Sequence, residues 1–232
     1  MDPRTEQNPP PEPQVSTDRE RWNEQYRNKR DEIGPAASWV AENRDLLEAQ
    51  PRGRALDVAC GRGRNALLLA ELGFTVDALD VSEVALELLG KEAERRGVTV
   101  NTRRADLREA PAFETGAYAV VLDMFFLERP LLPTLIQALA PGGLLFFETF
   151  TTKHLKEPWG PSNSASVLSP GELLGLFADL EAVRHHEGVV HGDRPRQVAQ
   201  LVARAPAGSR PSTAEEDLRG GFETEPGRAP HP

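Results

Sequence analysis

The stretch LDVACGRGRN, residues 56–65, sets two glycines between a short apolar run and a leucine-rich one. Gly61-Arg62-Gly63-Arg64-Asn65-Ala66 fits G-x-G-x-x-A, the turn that carries a strand into a helix and bares its backbone to a ligand. Asp80 follows Gly63 by 17 residues and ends the next strand-like run, where a carboxylate accepts hydrogen bonds from ribose hydroxyls. The pair predicts an adenine nucleoside at the turn, and nicotinamide and adenosyl cofactors both satisfy it. The bland alternative is a plain strand-to-helix turn.

Two further carboxylates and the chain's ending separate the cofactors. Asp57 lies inside the first strand, four residues before Gly61, where it would repel a pyrophosphate and attract a ligand carrying an ammonium and a sulfonium. Ala105-Asp106-Leu107 follows the third strand and puts a carboxylate at the same sheet edge, able to accept from an adenine amino group. After PGG (141–143) come a strand, a long loop and an antiparallel pair, which is not the second half of a dinucleotide fold.

These residues need a scaffold, and the rest of the chain supplies one. Helical patterns are expected over 19–30, where Trp22 and Tyr26 share a face, and over 36–47. Strands over 55–59, 74–80, 98–104, 117–124 and 144–150 alternate with helices over 65–73, from Ser82 to Gly97, and over 131–140. Ser169-Pro170-Gly171-Glu172 reads as a capping box with proline at the first helical position. Residues 181–190 and 196–204 form the last hairpin. This rhythm predicts an α/β fold: a doubly wound, mostly parallel seven-stranded sheet ending in an antiparallel pair.

Composition bounds the rest. Residues 1–17 and 205–232 are poor in apolar side chains and rich in proline, glycine and charge, so both are expected as disordered tails around a domain over 18–204. The net charge is −9, with no basic stripe, which argues against nucleic acid; Arg95, Arg96, Arg103 and Arg104 read as a solvated edge. A single cysteine fits a reducing, cytoplasmic setting. No apolar run approaches the roughly 18 residues needed to span a bilayer. Cys60 reads as a small filler. His185, His186 and His191 lack zinc-ligand spacing, so no metal is expected.

LDVACGRGRN, VDALD, ADL and LAPGGLLFFETF, in this order, resemble the motifs of class I S-adenosylmethionine-dependent methyltransferases, and the resemblance covers about residues 19–204. It implies that S-adenosylmethionine is the cofactor. Gly61 and Gly63 would admit its amino-acid portion, Asp57 would orient it, and Arg62 would meet its carboxylate, against the alternative of a loop charge. Asp80 would hold the ribose, Val81 the adenine face, Asp106 the adenine amino group, and the Leu107 amide a ring nitrogen. Asp123 would lie near the methyl-donor end, against the alternative of a structural strand-end carboxylate.

DRERWNEQY (18–26), DVACGRGRN and LSPGELLGLF (168–177) resemble the tellurite-resistance type of small methyltransferase. That likeness implies a lid of Trp22 and Tyr26, against simple anchoring of the helix, and a small-molecule or metalloid (tellurite, selenite or thiol-type) acceptor. Asn163-Ser164-Ala165-Ser166-Val167 departs from the group's usual approach to the last helix, so the acceptor is the least determined part. Asp123, His154 and Trp159 are the catalytic candidates, His154 as a polar contact and Trp159 as an aromatic wall. The alternative functions are a nicotinamide-dependent oxidoreductase, which Asp57 disfavours, and a non-catalytic S-adenosylmethionine-binding protein. Oligomeric state is not legible.

Overall fold

The computed structural model describes residues 18–28, 32–109 and 111–208. The expected tails over 1–17 and beyond 208 lie outside the described residues, as do the last two positions of the helix expected over 19–30. The packed chain runs past Arg204: Ala205 is buried, and its backbone exchanges hydrogen bonds with Gly142 and Gly143.

The elements are α1 (Asp18–Asn28), α2 (Ser38–Glu42), α3 (Arg44–Ala49), β1 (Arg54–Val58), α4 (Arg64–Glu71), β2 (Thr75–Asp80), α5 (Glu83–Arg96), β3 (Val100–Arg104), β4 (Tyr118–Met124), α6 (Leu132–Ala138), β5 (Leu139–Phe150), α7 (Glu172–Leu176), β6 (Glu181–Val190) and β7 (Arg196–Arg204). The seven strands lie in the order β3-β2-β1-β4-β5-β7-β6. The first five are parallel, and β7 runs antiparallel to both β5 and β6. Strand order reverses between β1 and β4, so their carboxyl ends flank the switch point at which open α/β sheets bind ligands.

The sheet separates two apolar layers. Leu56, Val58, Val121, Leu145 and Phe147 pack on one face, with α6 and α7. Ala55, Ala78, Leu122, Met124 and Phe146 pack on the other, with α2 to α5. Both faces are covered, so the central strands are nearly continuous apolar runs, and a charge within one is conspicuous.

Local expectations fail in three places. The helix expected over 36–47 is split at Asn43, whose side-chain amide donates to the Trp39 carbonyl at 2.6 Å while Arg184 donates to its oxygen at 2.9 Å. A side chain that bonds the preceding turn competes with the helix ladder. The helix expected over 131–140 ends at Ala138, and PGG is taken into β5 beside a register shift against β4. The last helix starts at Glu172, not Pro170; Glu172 still reaches back to the Ser169 amide at 2.7 Å, as a capping box requires. The Ser82 cap of α5 and the left-handed Gly97 at its end are both present.

Candidate functional site

Residues 59–63 form a tight elbow between β1 and α4. Ala59 (φ +50°) and Phe125 (φ +65°) are the only non-glycine residues at positive φ among the described residues, and each sits one position past a strand end at the switch point, β1 and β4 respectively. Such backbone costs on the order of 1–3 kcal/mol and persists where surrounding structure enforces it, typically at ligand sites. Asp80 ties the elbow down: its carboxylate accepts from the Gly61 amide at 2.8 Å and from the Ser82 amide at 2.9 Å.

The two glycines have different neighbours. A Cβ on Gly61 would meet the Tyr26 hydroxyl at 2.6 Å, so α1 lays an aromatic side chain directly over the elbow. A Cβ on Gly63 would collide with the Leu89 side chain, so Gly63 also has a purely internal reason, the close packing of α5. α1 is held by Asn23, which is buried, accepts from the Ser82 hydroxyl at 2.6 Å and faces the Val84 amide at 3.4 Å. An ion pair from Asp18 to Arg108 fastens its start. The Trp22 and Tyr26 rings stack at 5.8 Å. Burial, then the charges of Asp80 and Cys60, push the Tyr26 phenol above its ordinary value. Arg62 sits on the elbow, half-buried, and its charge acts on Tyr26.

Carboxylates line the carboxyl edge. Asp57 is 1% exposed and Asp123 is 0% exposed. One Asp57 oxygen has the Ala66 amide and Oδ2 has no partner; neither oxygen of Asp123 closes a hydrogen bond of good geometry, although the Phe126 amide lies near enough to favour its charge. Burial, with a smaller push from Asp80, lifts the Asp57 carboxyl to about 7 despite the Ala66 amide and Arg64. Burial, then the charge of Asp57, lifts Asp123 well above the carboxylate range. Burial also raises Asp80 against its amide hydrogen bonds. Uncompensated buried carboxyls are costly in a folded protein, so three neighbouring ones raised together single out this edge as the candidate site.

Toward β3 the edge opens into a cleft of about 430 Å³ lined by Arg19, Val81, Arg104, Ala105, Asp106 and Glu109. Asp106 is exposed and accepts from the Arg108 amide at 3.0 Å. Leu107 is buried in the core. Toward β5 the edge is aromatic. Phe125 lies 5.0 Å from Phe150, Phe150 stacks on His154 at 4.3 Å, and Trp159 stands edge-on to His154 at 4.6 Å. His154 is fully buried; its Nδ1 accepts from the Gln197 amide at 3.3 Å, and burial lowers its basicity. Its ring thus packs the loop after β5, while Trp159 is half-buried beneath Arg194.

The structure therefore gathers Asp57, Gly61, Gly63, Asp80 and Asp123 at the switch point, puts Val81 and Asp106 in the adjoining cleft, and sets His154 and Trp159 on the opposite, aromatic flank. Sequence reasoning missed Asn23, Arg196 and Glu148. Glu148 carried the same signal as Asp57, a lone charge within an apolar strand. Cys60 is partly exposed beside the elbow, and burial with the Asp57 and Asp80 charges raises its thiol. Among the described residues no His, Cys, Asp or Glu cluster could hold a metal ion, and no helix is long and apolar enough to cross a membrane.

The orphaned Asp57 and Asp123 oxygens beside a glycine elbow, with Asp80 and Asp106 further along one edge, fit a cationic nucleoside. Residues 55–143 match the family described as "Methyltransferase domain". The chain is 36% identical over 144 residues to a ubiquinone biosynthesis O-methyltransferase of Caulobacter sp. (strain K31), covering 54% of this chain and 57% of that protein. It is 32% identical over 152 residues to the Burkholderia multivorans protein of the same name, covering 56% and 65%. The chain thus spans less than two thirds of these curated relatives. TehB from Haemophilus influenzae superposes with a TM-score of 0.61 at 20% identity, over 79% of this chain and 67% of that one, a likeness of fold. Residues 55–143 thus match a methyltransferase-domain family, and the chain is similar in sequence to curated O-methyltransferases and in fold to TehB.

Proposed function

We propose that this protein transfers a methyl group from S-adenosylmethionine to a small-molecule acceptor, in the cytoplasm. The observation that carries the reading is the orphaned pair Asp57 and Asp123, fully buried on the two strands that flank the switch point. In this reading Asp57 meets the ammonium of the cofactor's amino-acid portion, the elbow at Gly61 and Gly63 lies against that portion, and Arg62 neutralises its carboxylate. Asp80 turns from the Gly61 amide to the ribose hydroxyls. Val81 and Asp106 frame the adenine in the cleft toward β3, with the Leu107 amide on the ring, and Asp123 faces the methyl-donor end. The bound cofactor supplies an electrophilic methyl group on a sulfonium. The chain contributes alignment and exclusion of water, for which Tyr26 and Trp22 on α1 are placed.

The acceptor has two candidate chemistries. The tellurite-resistance-like stretches favour a metalloid or thiol-type nucleophile, which needs no protein base. The curated relatives are named as O-methyltransferases, which favours a hydroxyl. His154 and Trp159 lie on the side of the edge that would border either.

Calorimetric titration with S-adenosylmethionine, S-adenosylhomocysteine and NADH tests the reading. Micromolar binding of both sulfur ligands and none of NADH is expected. Binding of NADH alone would overturn it in favour of an oxidoreductase, and sulfur-ligand binding without turnover across thiols, phenols, selenite and tellurite would favour a binding protein.

A further inference from the structure

The site described above uses carboxylates at the ends of β2, β1 and β4; a fourth stands on β5. Glu148 is 1% exposed, two residues before the end of its strand, and neither carboxylate oxygen has a hydrogen-bond partner. In the ladder it stands opposite Met124 of β4 and Gln200 of β7, while Asp57 stands opposite Leu122. Paired residues share a face and alternate residues share a face, so Glu148 projects on the α4 side of the sheet, as Asp57 does. It is also tied to the strained turn after β4, because its carbonyl accepts the Phe125 amide at 2.6 Å.

Its surroundings are charged without being satisfying. Arg196 of β7 and Arg64 of α4 pull on it electrostatically, Glu42 of α2 pushes against it, and Gln200 acts from across the ladder without closing a hydrogen bond to either oxygen. Burial outweighs the arginines, and the carboxyl is raised. The Arg196 guanidinium lies 5.3 Å above the Phe125 ring, so the buried carboxyl adjoins the wall of Phe125, Phe150 and Trp159. An unpaired carboxyl in the middle of a sheet costs several kcal/mol, and an apolar residue would pack there without that cost.

We propose that Glu148 is the acceptor-side base, and that the acceptor is therefore a hydroxyl-bearing molecule with a flat apolar body. The inference rests on the methyl-transfer reading and deepens it. In the step, the acceptor O–H bond breaks and its proton passes to the Glu148 carboxylate. The acceptor oxygen uses a lone pair to form the new C–O bond, and the C–S bond breaks with its electrons left on sulfur. The protonated carboxyl then returns its proton to solvent past Arg64, which is exposed. A metalloid oxyanion would need none of this.

The test uses the full chain and the variants Glu148→Gln and Glu148→Asp, with catechol and tellurite as probe acceptors. Positioned bases contribute about 10²–10⁴-fold, so Glu148→Gln should lose at least 100-fold in catechol methylation at neutral pH. Glu148→Asp should retain part of it, and S-adenosylhomocysteine should bind all three proteins within about 3-fold. A second readout needs no turnover. Catechol affinity for the S-adenosylhomocysteine complex should rise with pH as Glu148 ionises in the wild type, and be flat in Glu148→Gln. Undiminished catechol methylation by Glu148→Gln, a flat wild-type profile, methylation of tellurite but not catechol, or S-adenosylhomocysteine binding with no catechol methylation would each overturn the proposal. Failure of the wild type to bind S-adenosylhomocysteine would overturn the methyl-transfer reading itself.

Discussion

Asp77 and Asp57 lie on adjacent strands, and the fold treats them in opposite ways. Asp77 accepts from Arg54 at 2.9 Å, Tyr118 at 3.0 Å and Asn101 at 3.0 Å. Burial works against its charge, but these hydrogen bonds hold its carboxyl below the usual range. Asp57 has one amide and an empty oxygen, and burial lifts it to about 7. The same residue type is thus saturated away from the switch point and starved beside it. A chain able to satisfy Asp77 so fully leaves Asp57, Asp123 and Glu148 unsatisfied where a ligand would complete them.

The largest effect that could break this contrast is at Asp80, which belongs to both kinds. Asp80→Ala should abolish measurable S-adenosylhomocysteine binding by calorimetry. It should also lower unfolding stability by about 2–4 kcal/mol, because the Gly61 and Ser82 amides lose their acceptor. Wild-type affinity in a folded variant would show that the carboxylate serves the elbow alone.

Next is the pH dependence of the starved group. A carboxyl raised from 3.8 to about 7 on folding contributes stability that is complete below the lower value and lost as pH rises to the upper one. Ligand-free protein should therefore lose on the order of 4 kcal/mol between about pH 4 and pH 7 from this residue, at 1.36 kcal/mol per pH unit. Asp57→Asn should flatten that slope in denaturant titrations, whereas cofactor affinity in the wild type should climb through the same window. Stability that rises from pH 4 to 7 and is unaffected by Asp57→Asn would remove the distinction.

The smallest effect concerns the saturated group. Asp77→Asn should cost about 1 kcal/mol near neutrality and leave S-adenosylhomocysteine affinity unchanged. Because the Asp77 carboxyl is lowered on folding, this difference should begin to shrink near its unfolded value of 3.8 and vanish as pH falls through the lower folded value. An affinity change would tie Asp77 to the site.

Much of this was legible beforehand, for a physical reason. Strands covered on both faces tolerate few charges, so Asp57, Asp80 and Asp123 stood out within apolar runs, and the turn residues between them set the strand–helix rhythm. Glu148 carries the same mark in LLFFETF, but no glycine elbow follows it to signal a ligand site. Other features need the tertiary structure. The break at Asn43 depends on Arg184, 141 residues away. The internal reason for Gly63 is Leu89. The aromatic cover over Gly61 depends on where α1 docks, and its polar sequence gives no apolar stripe from which to read that.

That docking has a kinetic meaning. Asn23 is the one buried residue of α1, and it reaches the body of the protein through a hydroxyl that also caps α5 by accepting the Ala85 amide. The Asn23 bond to the Ser82 hydroxyl, the Asp18–Arg108 ion pair and the stacked Trp22 and Tyr26 rings are among the contacts that hold α1 over the elbow. If α1 is the lid that the proposed function requires, association rates measured at rising ligand concentration should level off at the frequency with which it opens.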